Sequence, residues 1–413
     1  MWRSGGVWRG AAIGALVALL AAGSAAPALA AAKKGGKSSG PAACVDPDDP
    51  PNFPWQKVKS GDTCVEFTNS LSVVYQKLMQ SSGSLPTPLR SSTASIGNPE
   101  VKTVTFESRM ATTTPTRLGD LETVLGVQVQ RSSGDTYIYT TLSEGTVALA
   151  GATAGYTSSV MNFWSGDFQF SATSPQRTVA VARYEYEVIP NGKLGLSLET
   201  GVATRQTNSK LFAPVYSDDP VLAARFLYQT DPLSLHLAGM IHRAKVERDR
   251  QLPGTSPSDE IRGWVVSAGT TFEVLPIGED DEISTQVTYA DNASAYLGTN
   301  SDLSTFASAL PFSVETRGWS VVASYHRQWS EQWESNVFVS HLTLDISTPF
   351  GDPKLTSTRY AGNLIFKPYD YVKLGGELGF LDVRTDIPTG ALAAVRGVTG
   401  RGLTGYLFAS VDF

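Results

Sequence analysis

Little in this chain is spaced for covalent chemistry. Its four histidines, His236, His242, His326 and His341, form no HExxH pair, and no GxSxG elbow, Walker loop or Rossmann fingerprint occurs. The acidic run from Glu279 to Glu282 lacks the interleaved ligands of a calcium loop and reads as a solvated turn. Cys44 and Cys64, with no histidine nearby, cannot fill a four-ligand zinc site, so neither a metal nor a cofactor is expected, and no enzyme activity. What the sequence offers instead is charge at every second residue: Glu107 and Arg109; Arg183, Glu185 and Glu187; Lys193 and Glu199; Arg225; Lys373 and Glu377. On an extended chain such residues share one face. Rows of both signs facing one water-filled space orient dipolar solutes and set ion preference.

The elements that must carry these charges are strands. Leu194, Leu196 and Leu198 alternate with Lys193, Gly195, Ser197 and Glu199, and Ala180, Ala182, Tyr184, Tyr186 and Val188 alternate with Val181, Arg183, Glu185 and Glu187. Sixteen such segments begin near 66, 101, 122, 136, 146, 179, 193, 221, 233, 262, 283, 317, 333, 356, 371 and 402. From the fifth onward, long connections (156–178, 204–220, 247–261, 292–316, 347–355, 386–401) alternate with short ones such as Asp231-Pro232. A soluble sandwich also alternates, but has no reason to sort its connections by length. In lipid, strands can span only as a closed barrel, whose polar phase then lines a lumen. The expected fold is all-β: a 16-stranded antiparallel transmembrane barrel with short periplasmic turns and long extracellular loops. Trp264, Trp319, Trp329, Trp333, Tyr289, Tyr325, Tyr360 and Tyr371 fall near strand ends, where an aromatic girdle sits.

Composition agrees. The 413 residues carry 33 Lys+Arg and 39 Asp+Glu, a net charge of −6, which excludes a strongly basic nucleic-acid binder. A mean hydropathy of −0.09 leaves no room for a bundle of membrane helices. Arg3 and Arg9 before an apolar run, followed by Ala28-Leu29-Ala30, make residues 1–30 a secretory signal peptide. Residues 31–64, Lys/Gly/Ser- then Pro/Asp-rich, read as a flexible periplasmic leader, and 65–413 as the barrel. Two cysteines in an oxidising compartment favour a Cys44–Cys64 disulfide over two unpaired thiols. The last strand ends on Phe413, the terminal aromatic by which the barrel assembly machinery reads outer-membrane barrels as a class.

The stretch VALAGATAGYTSSVMNFWSGDFQF (147–170) resembles the strand and inward-folded third loop of the alphaproteobacterial, rhizobial-type porins. GWVVSAGTTFEVLPIGEDD, VTYADNASAYLG, GWSVVASYHRQW and AGNLIFKPYDYVKLGGELGF match further blocks in order, and GDTC resembles that family's second cysteine. The resemblance implies a general-diffusion porin of the Gram-negative outer membrane, a homotrimer in outer-membrane lipid, passing small hydrophilic solutes and ions. A substrate-selective channel or a structural or adhesive barrel is the alternative. It also implies that loop 156–178, with Asn162, Phe163, Trp164, Asp167, Phe168 and Phe170, folds inward as the constriction. Asn162 stands where that family usually has an acid, which leaves Asp167 as the loop's only acid, expected to face Arg109, Arg183 and Arg225 across the pore.

Overall fold

The computed structural model describes residues 57–83, 100–133, 137–200, 220–246, 259–273, 281–299, 315–347, 352–386 and 399–413. The signal peptide, Cys44 and the leader up to residue 56 lie outside them. Among the described residues seventeen strands run in chain order: β1 (Lys57–Ser60), β2 (Thr63–Gly83), β3 (Glu100–Thr116), β4 (Gly119–Ser132), β5 (Tyr139–Leu149), β6 (Ala152–Ser158), β7 (Thr178–Ile189), β8 (Gly192–Glu199), β9 (Val221–Thr230), β10 (Leu233–Val246), β11 (Asp259–Glu273), β12 (Glu282–Asp291), β13 (Glu315–Ser330), β14 (Trp333–Ser347), β15 (Lys354–Tyr369), β16 (Val372–Asp386) and β17 (Gly400–Asp412). Each of β2 to β17 pairs antiparallel with its sequence neighbours, and β17 pairs with β2, closing a sixteen-stranded barrel. At that seam Phe413 and Asn69 exchange backbone hydrogen bonds of 2.8 and 2.9 Å, and the Phe413 ring lies 6.5 Å from Phe106.

Period-two patterning sets which side of each strand faces outward. Leu196, Leu198, Leu222, Leu237, Val287, Val339, Leu378 and Leu407 stand exposed on the outside, while Ser197, Glu199, Val221, Ala238 and Gln286, one residue out of phase, are buried inside. Trp264, Trp319, Trp333 and Tyr360 are outward and exposed, as girdle residues are. Connections at one end are two-residue turns at 117–118, 150–151, 190–191, 231–232, 331–332 and 370–371, with a longer one at 274–281.

Three local expectations change. The segments expected from 136 and 146 are β5 and β6, because the chain turns at Ala150 (φ 51°) and Gly151 (φ 84°) inside an unbroken apolar run that carries no polar turn signal. Strand structure also begins before residue 65: Lys57–Ser60 folds back on Thr63–Glu66, and Cys64 on that hairpin is disulfide-bonded. Finally, Asp281 of the acidic run is buried rather than solvated, accepting a 2.7 Å hydrogen bond from the Tyr325 hydroxyl with Arg327 3.9 Å away.

A charge placed mid-strand on the lipid face should cost far more than an ordinary surface substitution. Leu237→Arg is expected to lower stability by about 2–4 kcal/mol, read from denaturant unfolding of the barrel refolded into phospholipid vesicles.

Candidate functional site

Loop 159–177, between β6 and β7, does not project from the barrel. Its neck is closed by Ser159 N–H donating to Arg177 O (2.9 Å) and by the Asn162 side chain, whose Nδ2 donates to Arg177 O (3.0 Å) while its Oδ1 accepts from Arg177 N–H (3.0 Å). Only an amide can make that reciprocal pair; a carboxylate at 162 would have no donor for the carbonyl. The neck thus gives a physical reason for Asn at 162.

Beyond the neck the loop's backbone is hydrogen-bonded to inward-facing side chains of the barrel, strand after strand. Glu199 of β8 accepts from Ser159 Oγ (2.6 Å) and Val160 N–H (2.9 Å), and His236 Nε2 of β10 lies 3.0 Å from Val160 O. Gln286 of β12 donates to Met161 O (2.8 Å) and accepts from Trp164 N–H (3.0 Å), while the Trp164 indole N–H reaches Ser324 Oγ of β13 at 2.8 Å. Ser340 of β14 accepts from Thr173 N–H (3.0 Å), and Arg359 of β15 donates to Ser171 O (2.8 Å). Asn363 donates to Asp167 O (2.6 Å), and the Glu377 carboxylate of β16 accepts from Gln169 N–H (2.9 Å) and Phe170 N–H (2.6 Å).

The loop's aromatic rings face the wall. Phe163 stacks on His236 with centroids 4.9 Å apart, and Trp164, Phe168 and Phe170 surround Phe338 of β14 at 4.7–6.4 Å. Two wall glycines make seats for them. A Cβ at Gly269 would lie 2.4 Å from Phe163 Cδ1, and one at Gly379 2.5 Å from the Phe170 ring. The loop's most exposed residues are Ser165, Gly166, Ser171 and Gln176, and its one acid, Asp167, keeps 38 % of its side-chain surface exposed.

The charges expected to line the channel divide into two groups. Glu199 and Glu377 have the inward phase, but at 1 % and 3 % exposed they lie beneath the loop and hold its backbone; they do not face water. Asp167 is bound by Lys373 Nζ at 2.6 Å, and no bond joins it to Arg109, Arg183 or Arg225 among the described residues. The nearest cation on its own wall neutralises it. Arg109 instead pairs with Glu144 (3.3 Å), Arg225 with Glu185, and Arg183 donates to Ser158 O (2.7 Å). Glu107, Glu187 and Lys193 share this inward phase, with Glu187 accepting from Asn191 N–H (3.1 Å). Arg109 and Glu144 point into a closed barrel yet keep 41 % and 30 % of their side-chain surface exposed, so water reaches that half of the interior.

Sequence reasoning passed over Gln286, Ser324, Ser340, Arg359 and Asn363, because an uncharged or lone polar residue on the inward phase reads as ordinary lumen surface. Their role exists only once the loop lies on them.

A closed antiparallel barrel with a wetted polar interior and one loop laid along its inner wall is the architecture of an outer-membrane channel. Residues 80–386 match the family described as Porin subfamily, and the chain belongs to that family. It forms a water-filled channel for passive diffusion of small hydrophilic solutes and ions in the outer membrane of a Gram-negative bacterium. Among solved structures it resembles the outer membrane channel DcaP of Acinetobacter baumannii, with TM-score 0.62 at 17% identity over 86% of this chain and 99% of that one. OmpT of Vibrio cholerae in its trimer form gives TM-score 0.51 at 11% identity, covering 85% and 99%. OprB of Pseudomonas putida gives 0.51 at 10%, covering 84% and 94%. At such identities the likeness is one of fold. No curated protein matches the chain.

Glu377→Gln replaces one acceptor oxygen by a donor facing a backbone N–H. The amides of Gln169 and Phe170 are expected to exchange roughly tenfold faster or more, with the strands' protection unchanged, as read by hydrogen exchange. Asn162→Asp removes the donor to Arg177 O and should loosen the neck by about 1–3 kcal/mol, read as faster exchange at Ser159 and Arg177.

Proposed function

We propose that this porin is a general-diffusion channel of the alphaproteobacterial, rhizobial type, in which loop 159–177 is the constriction. The observation that carries this reading is that the loop's backbone is bonded to inward-facing side chains from β8 round to β16, partners that exist only inside the barrel. With half of the wall covered, solute passes between the loop's free edge and the half that carries Arg109, Glu144, Arg183 and Glu185. Local pairing of these charges favours weak selectivity, because each ion pair's field falls off steeply in a wet lumen.

The outward apolar surface suits outer-membrane lipid, and Phe413 at the seam suits recognition by the assembly machinery. A homotrimer is supported by the trimer form of the Vibrio cholerae OmpT fold relative. The channel works without catalysis, a reading supported by its family. Signal-peptide cleavage after residue 30 and a Cys44–Cys64 disulfide complete the mature chain, the latter supported by the bonded state of Cys64.

The test is planar-bilayer recording of the refolded mature protein in a salt gradient. Wild type is expected to open in large steps with a small reversal potential. Asp167→Asn leaves the Lys373 ammonium without its carboxylate and should shift the reversal potential toward anions. An unchanged reversal potential would remove Asp167 and Lys373 from the conducting path.

A further inference from the structure

The block VTYADNASAYLG contains a second segment that turns into the barrel. After β12 the chain forms a 3-10 turn at Ser294–Leu297, with Ala293, Ala295, Tyr296 and Leu297 all 2 % exposed or less. The root of the turn is fixed at Asn292 (φ 51°). Its carbonyl lies 2.7 Å from His242 Nε2, its N–H donates to Thr316 O (2.6 Å), and its Oδ1 accepts from Thr316 N–H (2.9 Å). Thr299 Oγ1 closes the far side on Ser294 O at 2.8 Å. Such a turn is held at both ends and has little freedom to move.

It lies against the arm by which loop 159–177 returns to β7. The outgoing arm is held by hydrogen bonds to the wall, but Ser174, Pro175 and Gln176 make none to the wall among the described residues. At that gap Gly298, in the left-handed region at φ 85°, approaches so closely that a Cβ would lie 2.4 Å from Ser174 N and 2.8 Å from Thr173 C. Beside it the Arg177 guanidinium lies 5.3 Å above the Tyr296 ring. Leu297 reaches the wall where Gly318 leaves room, an added Cβ there falling 3.0 Å from Leu297 Cδ1.

We propose that the 292–299 segment is a brace that positions the returning arm of the constriction loop, making Gly298 and Tyr296 positioning residues for conductance although neither belongs to that loop. The proposal rests on the reading of loop 159–177 as the constriction. Gly298→Ala strains the left-handed position and pushes on Ser174; Tyr296→Ala removes the ring beneath Arg177. Either variant is expected to shift mean single-channel conductance by roughly 1.5-fold or more and to add sublevels absent from wild type.

Gly61→Ala is the control: Gly61 has a similar φ of 62° but nothing within 4 Å of the added Cβ, so conductance should not change. Heat-modifiable mobility on gels confirms that each barrel has closed, and if Gly298→Ala does not close, Tyr296→Ala carries the test. Ser165→Cys on the loop's exposed edge, labelled with a bulky thiol reagent, tests the constriction separately. Block by the label together with wild-type conductance in the brace variants would overturn the brace alone. Absence of block would overturn the constriction reading on which it rests.

Discussion

A backbone amide or carbonyl shut away from water must find a partner, and this molecule is organised around that demand twice over. In the membrane the demand is met by strands, and strands meet it completely only when the sheet closes, as it does where β17 joins β2 and Phe413 joins Asn69. Inside the barrel it recurs for loop 159–177, which pairs with itself chiefly at its neck. There the wall's own side chains supply the partners, with Glu199, Gln286 and Glu377 each serving two groups of the loop. A loop without such a wall would have to stay in bulk water; a wall without the loop would leave Glu199 and Glu377 facing the lumen.

The same arrangement explains the muted electrostatics of the interior. A carboxylate taken out of water is costly unless hydrogen-bonded and paired, so the buried Glu377 is satisfied by two N–H donors, while the half-exposed Asp167 is paired with Lys373. Across the lumen, Arg109 with Glu144 and Arg225 with Glu185 are neutralised on their own wall. Charge that looks unbalanced along a single strand is therefore balanced between strands. The solute meets serine, glycine, glutamine and the Asp167–Lys373 pair on one side and ion pairs on the other.

Much of the fold was legible because its signals are local. Period two sorts Leu196 and Leu198 outward from Ser197 and Glu199 inward, and connection length sorts the two ends. The same rule failed at Ala150-Gly151, where a turn lies within apolar residues. The aromatic loop could be read as packing on a wall, and Phe163, Trp164, Phe168 and Phe170 do so. Partners across the barrel could not be read. The bond between Lys373 and Asp167 joins residues 206 apart in sequence, and Trp164 N–H meets Gln286 across 122, separations at which no pattern along the chain carries information. The inward phase of Glu199 and Glu377 was visible from sequence; whether water or a loop lay over them was not.

The central claim is that loop 159–177 limits what passes. The most direct measurement is the largest neutral sugar polymer admitted by vesicles holding the refolded protein, compared with a variant in which residues 163–172 are replaced by a short Gly/Ser linker. The account predicts a higher size cutoff in the shortened variant, with heat-modifiable mobility retained. An unchanged cutoff in a closed barrel would contradict it and move the constriction elsewhere in the lumen.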